Sequence, residues 1–274
     1  MEKERKIDMH VHSDNSPDGK HSPMFICEQA VQNDLRAIAI TDHCEIDSYK
    51  SQGYDSATFH SYFEISKARV AFQGQLLVLL GIEIGQPLYD VNLTEKIVTT
   101  KNYDVILGSV HKPDGFDCDI KEIDYSKIDV YEFMRSYFSQ LEEIAKCPYI
   151  DVLAHITCPM RRIQGLYNID FDYSKISDAT DSLLKAIIDN GKALEINTSG
   201  LRQAVGRTMP DVNIIKRYRE LGGEYITIGS DSHSAYDVGL GLTEGMKIAR
   251  ECGFDKITFF VERQIMQINN TQGE

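Results

Sequence analysis

Short apolar runs alternate along the chain with longer polar or amphipathic stretches. The runs are KIDMHVH (6–12), AIAITDH (37–43), LLVLLGIEIG (76–85), DVILGSVH (104–111), DVLAHI (151–156), ALEINTS (193–199) and YITIGSDSH (225–233), with ITFFVE (257–262) near the end. Their length and β-branched content predict strands. The intervening PMFICEQAVQNDL, VYEFMRSYFSQLEEIAK, DSLLKAIIDNG and VNIIKRYRELGG read as helices. Ser22-Pro23 and Pro210-Asp211 mark helix starts, and Gly191, Gly222 and Gly253 mark helix stops. Strands alternating with helices imply a parallel sheet covered by helices, and seven or eight such units predict an α/β, TIM-like barrel. No linker or repeat interrupts the rhythm, so residues 1–274 read as one domain. Residues 44–60, 112–129 and 157–176 are irregular and are predicted to be loops over one face.

Composition narrows the function. No window approaches 18 uncharged apolar residues, which excludes a membrane-spanning helix. The start MEKERKIDMH lacks the apolar segment of a secretory signal, so the cytoplasm is expected. The net charge of -13 argues against nucleic-acid or anionic-membrane partners. A small phosphorylated substrate remains compatible, provided its site carries local positive charge. The 6 cysteines contain no C-x-x-C pair and read as free thiols. Nothing in the sequence specifies an oligomeric state.

The positions of the histidines carry the chemistry. Of 8, His10, His12, His43, His111, His155 and His233 end apolar runs, as do Glu83 and Asp231. In a parallel barrel those strand ends meet on one face. Taken singly, each has an ordinary structural explanation, such as a cap or a satisfied polar residue. Together, neutral bases and buried acids at one end of a barrel point to divalent cations. The candidates exceed the four ligands of one tetrahedral ion, so two or three ions with a bridging carboxylate are expected. Nitrogen and oxygen donors suit Zn, Mn or Fe, with Cys44 and Cys158 as weaker candidates. Arg161, Arg202 and Arg207 follow strand ends on the same face and are candidates to bind phosphate. No G-x-x-x-x-G-K-[ST] phosphate loop is present.

Met9-His10-Val11-His12, Thr41-Asp42-His43, Gly81-Ile82-Glu83, Ser109-Val110-His111, Ala154-His155 and Ser230-Asp231-Ser232-His233 resemble, in order and spacing, the motifs of the PHP (polymerase and histidinol phosphatase) superfamily. Glu195 to Arg202 and the Arg161/Arg162 loop resemble its stand-alone histidinol-phosphate phosphatases. The resemblance implies a distorted (β/α)7 barrel with a trinuclear metal site at the C-terminal face of the strands. One metal would take His10, His12, Glu83 and Asp231; a second would share Glu83 and take His111 and His155. The third would take His43, His233 and a loop residue. That residue is often His in the family but is Asp18 here, with His21 nearby as the alternative.

The implied activity is hydrolysis of L-histidinol phosphate to L-histidinol and phosphate, a step of histidine biosynthesis, by in-line attack of a metal-bound hydroxide. Glu83, His111, Asp231 and Asp42 would be catalytic, with Asp42 either orienting a ligand or protonating the leaving group. The same scaffold could act on a nucleotide, phosphotyrosine or nucleic-acid ester, or hold metals only structurally. A structural relic should have lost several ligands, and none of these motifs is vacant.

Overall fold

The computed structural model describes residues 6–270; residues 1–5 and 271–274 of the expected single domain lie outside the described residues. The strands are β1 (Lys6–Val11), β2 (Leu35–Ile40), β3 (His43–Glu45), β4 (Leu77–Gly85), β5 (Val105–Ser109), β6 (Val152–Leu153), β7 (Ala193–Asn197), β8 (Ile226–Gly229), β9 (Lys256–Val261) and β10 (Gln264–Asn269). The helices are α1 (Pro23–Gln32), α2 (Tyr54–Ala71), α3 (Val91–Thr99), α4 (Val130–Lys146), α5 (Met160–Ile163), α6 (Ser177–Asp189), α7 (Val212–Glu220) and α8 (Leu242–Glu251). Strands β1-β2-β4-β5-β6-β7-β8 pair in that order, all in parallel, and β3 pairs with β4 off this path. His12 N donates to Ser232 O at 2.8 Å and Asp231 N to His10 O at 2.7 Å, drawing the first and last strands together. The result is the expected α/β barrel, nearly closed, with seven strands and flanking helices.

Two cores follow from strand alternation. Ile7, Met9, Ala37, Ala39, Leu79, Val105, Leu107, Val152, Ala154 and Ala193 fill the barrel, with Phe260 added from β9. The residues between them (Ile38, Ile40, Val78, Leu80, Ile106, Leu153, Leu194, Ile196) pack against the helices. Ser22 caps α1 ahead of Pro23, and Asp211 caps α7. Gly191, Gly222 and Gly253 all adopt positive φ just past helix ends, as their placement predicts.

The last apolar run departs from the barrel. β9 turns back antiparallel onto β10 as a separate two-stranded ribbon. Only Glu262 and Arg263 connect them, both at positive φ (50° and 62°), the geometry of a tight hairpin that leaves no length for a crossover helix. The stretch 44–60, expected to be a loop, contains β3 and the start of α2. That helix turns Thr58, Ser61, Ile65 and Ala68 inward and exposes Phe59, Phe63 and Val70, so its polarity runs against the usual amphipathic pattern. The stretch 157–176 likewise holds the short α5.

Two buried aspartates brace the end of the barrel away from the histidines. Asp104 accepts from Leu80 N at 2.7 Å and Glu262 N at 2.9 Å, and pairs with Arg69. Asp151 accepts from Ile106 N at 2.9 Å and from Arg263 at 2.9 Å. Asp151→Ala leaves a strand N–H and a partly buried guanidinium without their acceptor, at a cost of about 2 kcal/mol. Urea unfolding should show a lower midpoint at unchanged slope; an unmoved midpoint would remove Asp151 as a brace.

Candidate metal centre

Alternation along β4 carries Leu79, Gly81 and Glu83 into the barrel, and Glu83 ends fully buried among five imidazoles. Its Oε1 lies 2.9 Å from His155 Nε2 and 3.4 Å from His111 Nε2. Its Oε2 lies 2.9 Å from His43 Nδ1, 3.4 Å from His10 Nε2 and 3.6 Å from His12 Nε2. Asp231 Oδ1 is 3.5 Å from His12 Nε2 and 3.9 Å from His10 Nε2. Asp18 Oδ1 approaches His233 Nε2 at 3.4 Å and His43 Nε2 at 3.7 Å. The nine residues singled out as metal ligands therefore form one continuous cluster. His21 stands apart from it: its Nδ1 accepts from Ala235 N at 3.1 Å, and its ring packs on Phe25 and Tyr236.

Two backbone irregularities aim these rings. Between the pairs Asp8↔Ile38 and Val11↔Ile40, β1 spends one residue more than β2. This bulge lets both Met9 and its neighbour His10 face inward. His155 follows the inward Ala154 and would point outward in a regular strand; its φ of +28° turns it back. Such a conformation costs on the order of 1–3 kcal/mol and persists where the surroundings overdetermine it.

The donor set fits divalent ions. Glu83 Oε2, His43 Nδ1 and His155 Nδ1 are buried without a hydrogen bond, although Oε2 and His43 Nδ1 are 2.9 Å apart. Glu83 Oε2 and His43 Nδ1 thus face each other with no proton donor between them. Ligands of a tetrahedral ion with bonds of about 2.1 Å stand roughly 3.4 Å from one another, close to the separations around Glu83. In three overlapping triads the donor atoms all lie within 4.8 Å of one another: His10, His12 and Glu83; His43, Glu83 and His111; His12, His43 and His233. Burial would raise the Glu83 carboxyl, but His111, His10 and His43 hold it well below the usual carboxylate range. Asp231 is held low against its burial by Arg161 and His10. Burial, His233 and His43 push His12 well below the ordinary imidazole value. Burial opposes charge on His10, yet Glu195, Glu83 and Asp231 raise it.

Neighbouring groups hold this cluster in place. Glu195 Oε1 meets His10 Nδ1 at 2.7 Å, and its Oε2 accepts from His155 N at 2.7 Å. The pair has room because residue 229 is glycine; a Cβ there would overlap Glu195 and His10. Asp42 accepts from Ser13 N (2.6 Å), Ser13 Oγ (2.7 Å), Ser16 Oγ (2.9 Å) and Ser61 Oγ (2.6 Å). Asp42 therefore accepts from four donors and does not line the cavity. Glu195 and Glu45 were not among the expected site residues. Glu195 had a legible signal, a charge inside the apolar run ALEIN, whereas Glu45 lay in a stretch expected to be a loop.

The cluster floors a cavity of about 620 Å³ lined also by Glu45, Asp47, Tyr54, Gln86, Arg161 and Arg162. Arg161 Nη2 donates to Asp231 Oδ2 at 2.6 Å and to Ser199 Oγ at 2.8 Å. Arg202 donates to Ser230 O at 2.8 Å and faces a smaller adjoining cavity with Arg161, Asp231 and His233. Arg207 lines neither cavity; it lies 3.7 Å from Asp211 on the rim of α7. Cys158 lines the main cavity, while Cys44 is buried in the outer core.

Glu195→Gln keeps the shape but replaces the ionised acceptor of His10. Zinc affinity should fall by about 10–100-fold with the circular dichroism spectrum unchanged, and equal affinity in both proteins would exclude an orienting role.

The PHP domain family profile matches residues 8–199. A probable histidinol-phosphatase of Clostridium acetobutylicum is 33% identical over 265 residues, covering 95% of this chain and 98% of that one. One of Thermotoga maritima is 28% identical, covering 91% and 93%. The crystal structure of histidinol phosphate phosphatase from Lactococcus lactis, complexed with zinc, L-histidinol and phosphate, superposes with a TM-score of 0.80 at 20% identity, over 96% of this chain and 99% of that one. With its barrel, its ligand cluster and a profile match over most of its length, the chain belongs to the PHP domain family.

Proposed function

We propose that this protein is a metal-dependent phosphomonoesterase that hydrolyses L-histidinol phosphate to L-histidinol and inorganic phosphate. The observation that carries this reading is the cavity itself, where a ring of imidazoles around a buried carboxylate stands beside an oriented arginine. End-to-end likeness to histidinol-phosphatases supports the substrate assignment.

In this reading His10, His12, Glu83 and Asp231 would hold one ion, and Glu83, His111 and His155 a second. Asp18, His43 and His233 would hold a third. Zn, Mn or Fe suits these donors. When bound, the ions supply an acidified water and positive charge against the phosphoryl oxygens. Glu83 presents one oxygen to each of two groups of imidazoles, which suits it to bridge. Asp231 and Ser199 hold Nη2 of the Arg161 guanidinium and Met209 Sδ accepts from its Nε, leaving Nη1 to donate to a phosphoryl oxygen. Arg202 extends the same positive wall. Asp42 positions the loop Ser13–Ser16 and, through Ser16, the backbone of His43.

Acidic residues of the same cavity suit a cationic alcohol. Asp47, Asp117, Asp119 and Glu122 line the cavity; Lys112 offsets Asp47 and Lys121 offsets Asp119. Asp117 and Glu122 keep their charge free to face an ammonium or imidazolium group. A nucleotide, which adds negative charge, gains nothing there.

Phosphate release should be at least about a hundredfold faster in kcat/KM for histidinol phosphate than for AMP, phosphotyrosine or a dinucleotide diester, a margin of about 2.7 kcal/mol. Glu83→Gln should abolish turnover and lower the metal content of the same sample. Even activity across the four esters would discard the histidinol assignment and keep the metal hydrolase. Arg161→Lys keeps the charge and loses the planar fork, so KM for histidinol phosphate should rise about tenfold, a loss of about 1.4 kcal/mol. An unchanged KM would remove Arg161 from phosphate binding.

A further inference from the structure

Glu45 ends β3, the short strand off the barrel path, where it stands opposite Gly85 of β4. Its carboxylate lies across that glycine, in space that a Cβ at position 85 would fill. One oxygen is 2.8 Å from His111 Nδ1. The other accepts from Gln86 Nε2 at 2.9 Å, and Gln86 Oε1 accepts from His111 N at 2.8 Å. Gln86 itself is held at a φ of +51°, with its N–H on Ser109 O at 3.0 Å. Glu45, Gln86 and His111 therefore form a closed loop of hydrogen bonds around one imidazole.

A neutral imidazole carries one N–H, and a strong acceptor at one nitrogen decides which. An ionised carboxylate accepts and does not donate, so Glu45 keeps the proton of His111 on Nδ1. The free lone pair is then on Nε2, the atom 3.4 Å from Glu83 Oε1. Glu195 stands in the same relation to His10, with Nδ1 on the carboxylate and Nε2 toward Glu83. By contrast, His43 Nδ1 and His155 Nδ1 have no hydrogen-bonding partner.

We propose that Glu45, braced by Gln86 across Gly85, is a positioning residue that fixes the Nε2-facing tautomer of His111 and thereby sets the affinity of the ion shared by His111 and Glu83. The inference rests on the metal-dependent reading given above. The pairing of β3 with β4 brings residue 45 level with Gly85.

The test compares the full-length parent with Glu45→Gln and Gln86→Ala by two measurements besides phosphate release. Nitrogen-15 correlation spectra of the imidazoles in metal-stripped protein, recorded at alkaline pH because Glu45 and Glu83 outweigh burial and raise the His111 imidazole, should show neutral His111 protonated on Nδ1 in the parent and redistributed in Glu45→Gln. Zinc titration against a competing chelator should show one binding step weakened by about 10–100-fold in Glu45→Gln and by a smaller factor in Gln86→Ala. The remaining steps should be unmoved, and kcat should fall at constant KM. An identical His111 tautomer in parent and Glu45→Gln, or zinc steps that all coincide, would overturn the proposal. Loss of zinc binding in Glu45→Gln with an unchanged tautomer would overturn it as well, because Glu45 would then be a ligand. A parent that binds zinc in steps but releases no phosphate from histidinol phosphate would refute the phosphatase reading alone; the tautomer and zinc comparisons would still decide the role of Glu45.

Discussion

Glu83 is a carboxylate with no solvent exposure at the end of an apolar strand, and most of the site is arranged around that fact. An isolated charge in such a place is prohibitively costly. Five imidazoles approach its two oxygens from β1, β2-β3, β5 and β6 ends, so the compensation is assembled from most of the barrel. The barrel must close accurately for this to happen. A shift of one residue in any of these strands would turn a ligand to the wrong face. The braces at the opposite end, where Asp104 and Asp151 tie strand N–H groups to the hairpin turn at Glu262 and Arg263, hold that register.

A second layer of carboxylates stands behind the first. Glu195 meets His10, Glu45 meets His111, and Asp42 gathers three serines beneath His43. Glycine recurs where this layer needs space: Gly229 beside Glu195 and Gly85 beneath Glu45. In an acidic protein this arrangement has a further consequence. Positive charge stands where an anion must bind, at Arg161 and Arg202 and at the ions the imidazoles would hold, while Asp117 and Glu122 add negative charge to the same cavity. A dianionic phosphate joined to a cationic alcohol matches both groups, which ties the substrate class to the distribution of charge and not to its sum.

The barrel was legible because strand and helix periods are local properties. The runs ending in His43, Glu83 and His111 read as parallel strands from their own residues. So did the helix stops at Gly191, Gly222 and Gly253, which need only a residue tolerant of positive φ. The errors also have a local cause. ITFFVE is a strand, as its composition predicts, but it pairs with β10 across a two-residue turn and stays outside the barrel sheet. α2 was hidden because it buries Thr58 and Ser61 and exposes Phe59 and Phe63.

Sequence alone determined the inventory and its side of the barrel: which residues end apolar runs, and therefore which imidazoles and carboxylates can meet. It could not determine their aim. His10 faces the cavity through a bulge in β1, and His155 through a left-handed backbone; simple alternation from Met9 and Ala154 would send both outward. Arg207 follows a strand end as Arg161 does, yet it is found beside Asp211 while Arg161 reaches Asp231. Glu45 and Glu195 gain their partners from residues 66 and 185 positions away. Those choices depend on distances between strands that are remote in sequence, and only the closed barrel sets such distances.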